Sequence, residues 1–291
     1  MDFGLVLPTV TSGATPEGIE AAAEVATRLG WSTVWATDHV LVHKGDPDYG
    51  FIYGAVSTLA YVGGRYAGPR LGASVINVPL RNAVVLAKEL ASLDALTRGR
   101  LLVGVGLGDA DDIPEFRNLG VEHLHHQRGA FLDETIRLWR HLWSGSTEPF
   151  EGRFYQLRDY AFGPLPVQGA RLPVLVGGRS PAAYRRAGAL SDGYHATRRP
   201  PAEIAEAIPH IRAAAEAAGR PMPLISVRAR VRFNPAGAAP AIAGSPADML
   251  AQVRAYQAVG VQHLAFLFDD VTPEGITAAA ERLHQDVLSA V

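Results

Sequence analysis

The chain has 291 residues, a formal net charge of −2 and no cysteine. Its Lys and Arg residues are scattered, which argues against a nucleic-acid surface or a polybasic membrane anchor; the absence of thiols excludes disulfides, thiolate metal sites and cysteine nucleophiles. With 48% hydrophobic and 19% charged residues, the material for one large α/β core is present.

The start, "MDFGLVLPTV", has no basic stretch ahead of a long apolar run, so no signal peptide is expected. Nowhere do 18 apolar residues follow one another, so no membrane span is predicted and a cytoplasmic protein is the expectation. Short apolar runs that predict buried strands are "FGLVL" (3–7), "STVWA" (32–36), "RLGASVI" (70–76), "RLLVGVG" (100–106), "LPVLVGG" (172–178), "DGYHA" (192–196), "LISVRARV" (224–231) and "VQHLAFL" (261–267). Helical spacing of apolar residues recurs between them, as at 16–30, 83–96 and 129–143. Continuous apolar strands alternating with helices imply a parallel sheet covered on both faces. Eight strands and about eight helices match a (β/α)₈ TIM barrel, with an open doubly wound sheet as the competitor. One domain over 1–291 is predicted. Residues 40–53, 144–170 and 234–246 exceed ordinary connections. The second is expected to add a small hairpin. The first and third follow strands and are the lid candidates, 234–246 being expected to be mobile; in a barrel such insertions gather at the C-terminal face.

The segment "LVGGRSPAAYRRAG" (175–188) passes from strand to helix. Ser180 suits an N-cap and Pro181 the first helical position. Gly177 and Gly178 permit close backbone approach, and Arg179 adds charge beside a helix start that favours anions. Two readings stand: a phosphate-binding loop, or a tight βα turn. In "GVGLGD" (104–109) the third glycine of the dinucleotide fingerprint is replaced by Asp109. The glycines either clear a surface for a flat ligand or allow close packing, and Asp109 is either a proton-transfer group or a solvated acid. "WATDHVLVH" (35–43) places Asp38 and His39 just past the second strand, and His suits proton exchange near neutral pH. A serine hydrolase lacks its G-x-S-x-G elbow, a zinc site of His39, His43 and Asp38 lacks the intervening Glu, and no lysine at a strand end supports a Schiff-base lyase. "HLHHQR" (123–128) reads as a solvated helix start. Arg228 and Arg230 share one side of the seventh strand; an anionic ligand or a salt bridge would explain them, and Arg198 and Arg199 are open in the same way.

Taken together, "FGLVLP", "LGWSTVWATDH", "RLGASVINVPLRNAVVLAKELASLDALTRGRLLVGVGLGD", "EFRNLG", "FEGRFYQL" and "PVLVGGRSPAAYRRAGALSDGYH" resemble the bacterial luciferase-like superfamily, and within it the branch of F420-dependent oxidoreductases. The resemblance implies a (β/α)₈ barrel, commonly a homodimer, with a deazaflavin ring at the C-terminal mouth and a small-molecule substrate. It implies Asp38 near the cofactor and His39 near its reactive edge. Ser74 and Val75 would form a non-proline cis peptide against the ring, with Asn77, Leu107 and Gly108 lining it. Asp109 stands where sugar-phosphate dehydrogenase members carry a Glu acid-base, and Gly177, Gly178, Arg179 and Ser180 match the loop that holds the cofactor's phosphate. F420 is thus the expected cofactor, with FMN in a monooxygenase as the alternative and a non-catalytic flavin or deazaflavin carrier as another. His39 and Asp109 are the expected catalytic pair, and no metal is expected.

Overall fold

The computed structural model describes residues 1–42, 44, 50–233 and 241–291. Eight strands lie at its centre: β1 (Asp2–Val6), β2 (Thr33–Ala36), β3 (Arg70–Ala73), β4 (Leu101–Gly106), β5 (Val174–Val176), β6 (Gly193–Thr197), β7 (Leu224–Arg232) and β8 (His263–Leu267). Each pairs in parallel with the next, and β8 pairs with β1 through Asp2↔His263 to Leu5↔Phe266. The β6–β7 ladder, Leu224↔Gly193 to Arg228↔Thr197, completes the ring. That closure decides for the barrel over the open sheet.

Eight principal helices follow the strands in turn: α1 (Pro16–Arg28), α2 (Ala55–Arg65), α3 (Ala83–Leu96), α4 (Arg128–Trp143), α5 (Pro181–Leu190), α6 (Pro201–Ala217), α7 (Pro246–Ala258) and α8 (Pro273–Asp286). Four of them start the same way. Thr15, Ser180, Ser245 and Thr272 stand before a proline, and each side chain accepts an amide of the first turn, from Gly18, Ala183, Asp248 and Gly275. A cap of this kind contributes about 1 kcal/mol, and proline at the first position costs no hydrogen bond.

Along each strand the side chains alternate, as a pleated chain must. In β4, Leu101, Val103 and Val105 face the helices, while Leu102 joins Val6, Trp35, Leu175 and Ala265 inside the barrel. The inward positions Gly104 and Gly106 are filled by a neighbouring segment. A Cβ on Gly104 would lie 1.9 Å from the Ala73 carbonyl oxygen, and one on Gly106 would lie 2.6 Å from Cγ2 of Val75. Gly104 and Gly106 are thus spent on close packing against this segment.

Two sequence expectations need correction. The run 70–76 is not one strand: β3 stops at Ala73, the Ser74–Val75 peptide is cis, and Ile76–Asn77 resumes pairing with Val105–Gly106. The end of 234–246 is ordered, since Ala241–Ala243 pairs with Arg230–Arg232 and Ser245 caps α7; the remainder, 234–240, lies outside the described residues, as do His43 and 45–49.

The expected hairpin in 144–170 is present, Phe150–Glu151 against Gln156–Leu157. It is anchored from α4: the buried Glu134 carboxylate accepts the amides of Arg153, Phe154 and Tyr155 at 2.6, 2.8 and 2.9 Å. The Tyr155 hydroxyl in turn accepts the Ala83 amide at the start of α3.

Gly104→Ala is the sharpest test of this packing, because the obstructing atom is backbone and has no rotamer to change. The substitution should cost about 1–3 kcal/mol or somewhat more, read as a lower urea midpoint with an unchanged slope.

Candidate active site at the strand C-terminal mouth

The residues singled out in the sequence fall into two connected groups at the C-terminal ends of the strands. The first follows β2. The buried Asp38 carboxylate takes Nη2 of Arg81 at 2.8 and 2.9 Å and the Ala55 amide at 3.3 Å, so it ties the start of α2 to the segment after β3. His39, half-buried, faces Glu115 through Nδ1 at 3.2 Å. Glu115 lies on a short helix, Ile113–Asn118, and its other oxygen accepts the amides of Val40 and Leu41 at 2.7 and 2.8 Å. Burial pushes His39 down, but the Glu115 hydrogen bond and the charges of Glu115, Asp112 and Asp38 outweigh it and raise its pKa. Burial likewise pushes Glu115 up, and the His39 bond and the two amides hold it below its ordinary value.

The second group lies around Val75. Ser74 and Asn77 are buried, and both amide atoms of Asn77 lack a hydrogen-bond partner among the described residues. Gly108, at φ 72°, packs so closely here that a Cβ would come within 2.6 Å of the Asn77 amide nitrogen and 2.7 Å of the Asp112 carboxylate. Gly177 closes the far side, with Cγ1 of Val75 at 3.5 Å from where its Cβ would be. Leu107 is half-buried and packs against the main core. Asp109 is exposed and its amide donates to Asp112.

In the 175–188 segment, Gly178 has φ 113°, its carbonyl accepts the Tyr194 hydroxyl, and Arg179 and Ser180 are exposed. The Gly177 amide is spent on the Val105 carbonyl. Ser180 and Pro181 start a helix as three other pairs in this chain do, so the glycines and Arg179 are what distinguish this loop.

Beneath Ser74 runs a hydrogen-bonded chain that sequence reasoning did not assemble. Ser74 Oγ meets His195 Nε2 at 2.8 Å, His195 Nδ1 meets Ser226 Oγ at 2.8 Å, and Ser226 Oγ meets His263 Nδ1 at 3.0 Å. Trp35 stacks on His195 at 4.3 Å. The Ser74 carbonyl accepts Nη1 of Arg228 at 3.0 Å. The only signal was the polar intrusion in "DGYHA" and "VQHLAFL", residues that the inward pleat of β6 and β8 brings together. The paired arginines of β7 therefore differ in fate: Arg228 is buried under the mouth, whereas Arg230 pairs with Asp269 at 2.8 Å. Arg199 pairs with Glu203, and the exposed Arg198 has φ 54°. His125 departs from the solvated helix start expected of "HLHHQR": it is buried against Phe116, because Leu124 and His125 turn inward as the segment winds into α4.

Residues 1–236 match the profile of the family described as luciferase-like monooxygenase. The chain is 30% identical over 210 residues to an F420-dependent glucose-6-phosphate dehydrogenase of Mycolicibacterium fortuitum, covering 70% of this chain and 61% of that one. The chain thus spans about three fifths of that relative's length. Two solved structures share the fold. The coenzyme F420-dependent tetrahydromethanopterin reductase of Methanopyrus kandleri superposes with a TM-score of 0.80 at 17% identity, covering 99% of both chains. The oxygenating constituent of 3,6-diketocamphane monooxygenase from Pseudomonas putida, in complex with FMN, gives 0.83 at 13% identity, covering 100% of this chain and 98% of that one. Among the described residues no helix is long and apolar enough to cross a membrane, and no cluster of side chains is suited to a metal.

The buried histidines set the response to acid. Burial holds His195 well below its ordinary value and His263 at about 4. The unfolded chain, with histidines near 6.5, binds protons that the native state refuses. Their contribution is therefore intact above about pH 6.5 and is lost as pH falls toward 4. His39, with its raised value, acts in the opposite sense on the alkaline side. Thermal midpoints should fall from pH 7 to pH 5, and His263→Asn should flatten that fall.

Proposed function

The chain belongs to the luciferase-like monooxygenase family, and on that premise we propose that it is an oxidoreductase working with the deazaflavin coenzyme F420. It would move a hydride between that cofactor and a small organic substrate. The observation that carries this reading is Asn77: a side-chain amide buried at the barrel mouth with neither end paired among the described residues. Leaving such a group unpaired costs about 1–3 kcal/mol, and a ring bearing heteroatoms would satisfy it. The names of relatives near 30% identity support F420 as that ring.

The residues present fit such a group. Asn77 would meet the ring's polar edge, the Ser74–Val75 segment and the backbone of Leu107 and Gly108 would line it, and the exposed 177–180 loop would take the phosphate. The cofactor when bound supplies the hydride chemistry; the protein supplies placement and proton transfer. His39 is the leading proton donor or acceptor, and the exposed Asp109 is the second candidate. Asp38 acts from behind, through Arg81 and the first amide of α2. We also take the protein to work as a homodimer, which is what the family resemblance implies. Val85 and Leu96, exposed on one face of α3, support that reading, and sedimentation reads it directly.

Separate titrations with F420 and FMN test the cofactor: saturable F420 binding is expected, and tight FMN binding with no deazaflavin binding overturns the reading. Asn77→Ala should weaken the bound cofactor about tenfold, the value of one or two hydrogen bonds. His39→Ala should keep that affinity and lose roughly 10²–10⁴ in turnover. Unchanged turnover removes His39 from the mechanism.

A further inference from the structure

We propose that Glu115 is the positioning residue of His39: its buried carboxylate takes the proton on Nδ1, makes Nε2 the atom that exchanges with substrate, and so sets His39 as the acid of the site. This inference deepens the function proposed above and rests on His39 being its proton-transfer group.

The geometry carries it. One Glu115 oxygen is occupied by the amides of Val40 and Leu41, and the other faces the imidazole. An ionised carboxylate only accepts hydrogen bonds, so Nδ1 must be the donor. With Nδ1–H committed, the second proton of the ring resides on Nε2 and leaves from there. The same carboxylate also grips the two peptide groups that follow His39, so ring and backbone are located by one buried group. Glu115 stays anionic through those three bonds and has no need of a cation.

Three carboxylates face His39 from the elements packed against it: Glu115 on the short helix, Asp112 ahead of it and Asp38 alongside. Asp38 is compensated by Arg81. Asp112 accepts the Asp109 amide, and burial pushes its pKa up, which weakens its pull. Glu115 is therefore the dominant partner, and it works against a burial that alone would neutralise the ring.

A histidine whose proton affinity is raised by its carboxylate neighbour is arranged to give a proton, which suits substrate reduction. The bound cofactor would supply the hydride to a substrate carbon; the part of this chain is the Nε2–H bond, which would break as that hydride arrives. Its proton goes to the adjoining atom that has received the π electron pair. The N–H electrons stay on His39, which is left neutral and is recharged from water.

The test is nitrogen-15 NMR of the full chain labelled at histidine, with His39 assigned by the signal lost in His39→Gln. Expected in the unaltered protein are a titration above about 6.5 and, in the neutral form, the Nδ1–H tautomer. In Glu115→Gln that titration should move to lower pH. The alkaline limb of kcat/KM should move with it, while cofactor affinity changes less than about twofold. A titration that Glu115→Gln leaves in place overturns the proposal. So does an Nε2–H tautomer in the unaltered chain, a reading that needs no variant to fold. Absence of any deazaflavin turnover would instead sink the functional reading, and the NMR titration would still judge Glu115 by itself.

Discussion

Val75 lies in a trough that exists because two neighbouring positions carry no side chain. A methyl group on Gly104 would strike the adjoining Ala73 carbonyl, and one on Gly106 would strike Val75 itself. Ser74 is then held by its hydroxyl through His195 and by its carbonyl through Arg228. The floor of the mouth is thus set by close backbone contacts above and by the hydrogen-bonded chain of Ser74, His195, Ser226 and His263 beneath it. Close-packed interiors transmit small displacements instead of absorbing them, so Asn77 and Gly108, the next residues outward, inherit their positions from this contact.

The polar layer has its own requirement. His195 is fully buried and is bonded at both nitrogens to serine hydroxyls, which give or take a proton as needed. A neutral ring satisfies that chain; a charged one adds a cation to a region that already holds the Arg228 guanidinium. Around the rim several charges are paired: Asp38 with Arg81, and Arg230 and Arg232 both with Asp269.

Much of this was legible in the sequence, and the reasons are specific. Apolar runs at strand length and caps such as Ser180-Pro181 are local signals, and each landed within a few residues of its element. The pairing of β6 with β7 was foreseeable only as part of a complete ring, because "DGYHA" is short and polar. Asp38-His39 was recognisable as a mouth residue pair, but the partner of His39 was not: Glu115 lies 76 positions away and reaches it because the turn at Gly108 sends the chain back over the mouth. The His195, Ser226 and His263 chain stayed hidden for the same reason, since no spacing in the sequence reports which inward residues of three strands meet. The two readings of the glycines of "GVGLGD" could not be separated in the sequence, because a glycine that clears space for a ligand and one that clears space for Val75 look alike in one dimension.

Glu134 and the hairpin it holds form a pair of another kind. The carboxylate is on α4, whereas the amides that neutralise it come from Arg153, Phe154 and Tyr155, and a Cβ on Gly152 would strike the carboxylate at 2.3 Å. Neither part is complete without the other. The two must be inherited together: a chimera joined between α4 and the hairpin would leave a buried anion with no donors, or a loop with no anchor. A graft of this insertion into another barrel should therefore carry the helix along with it.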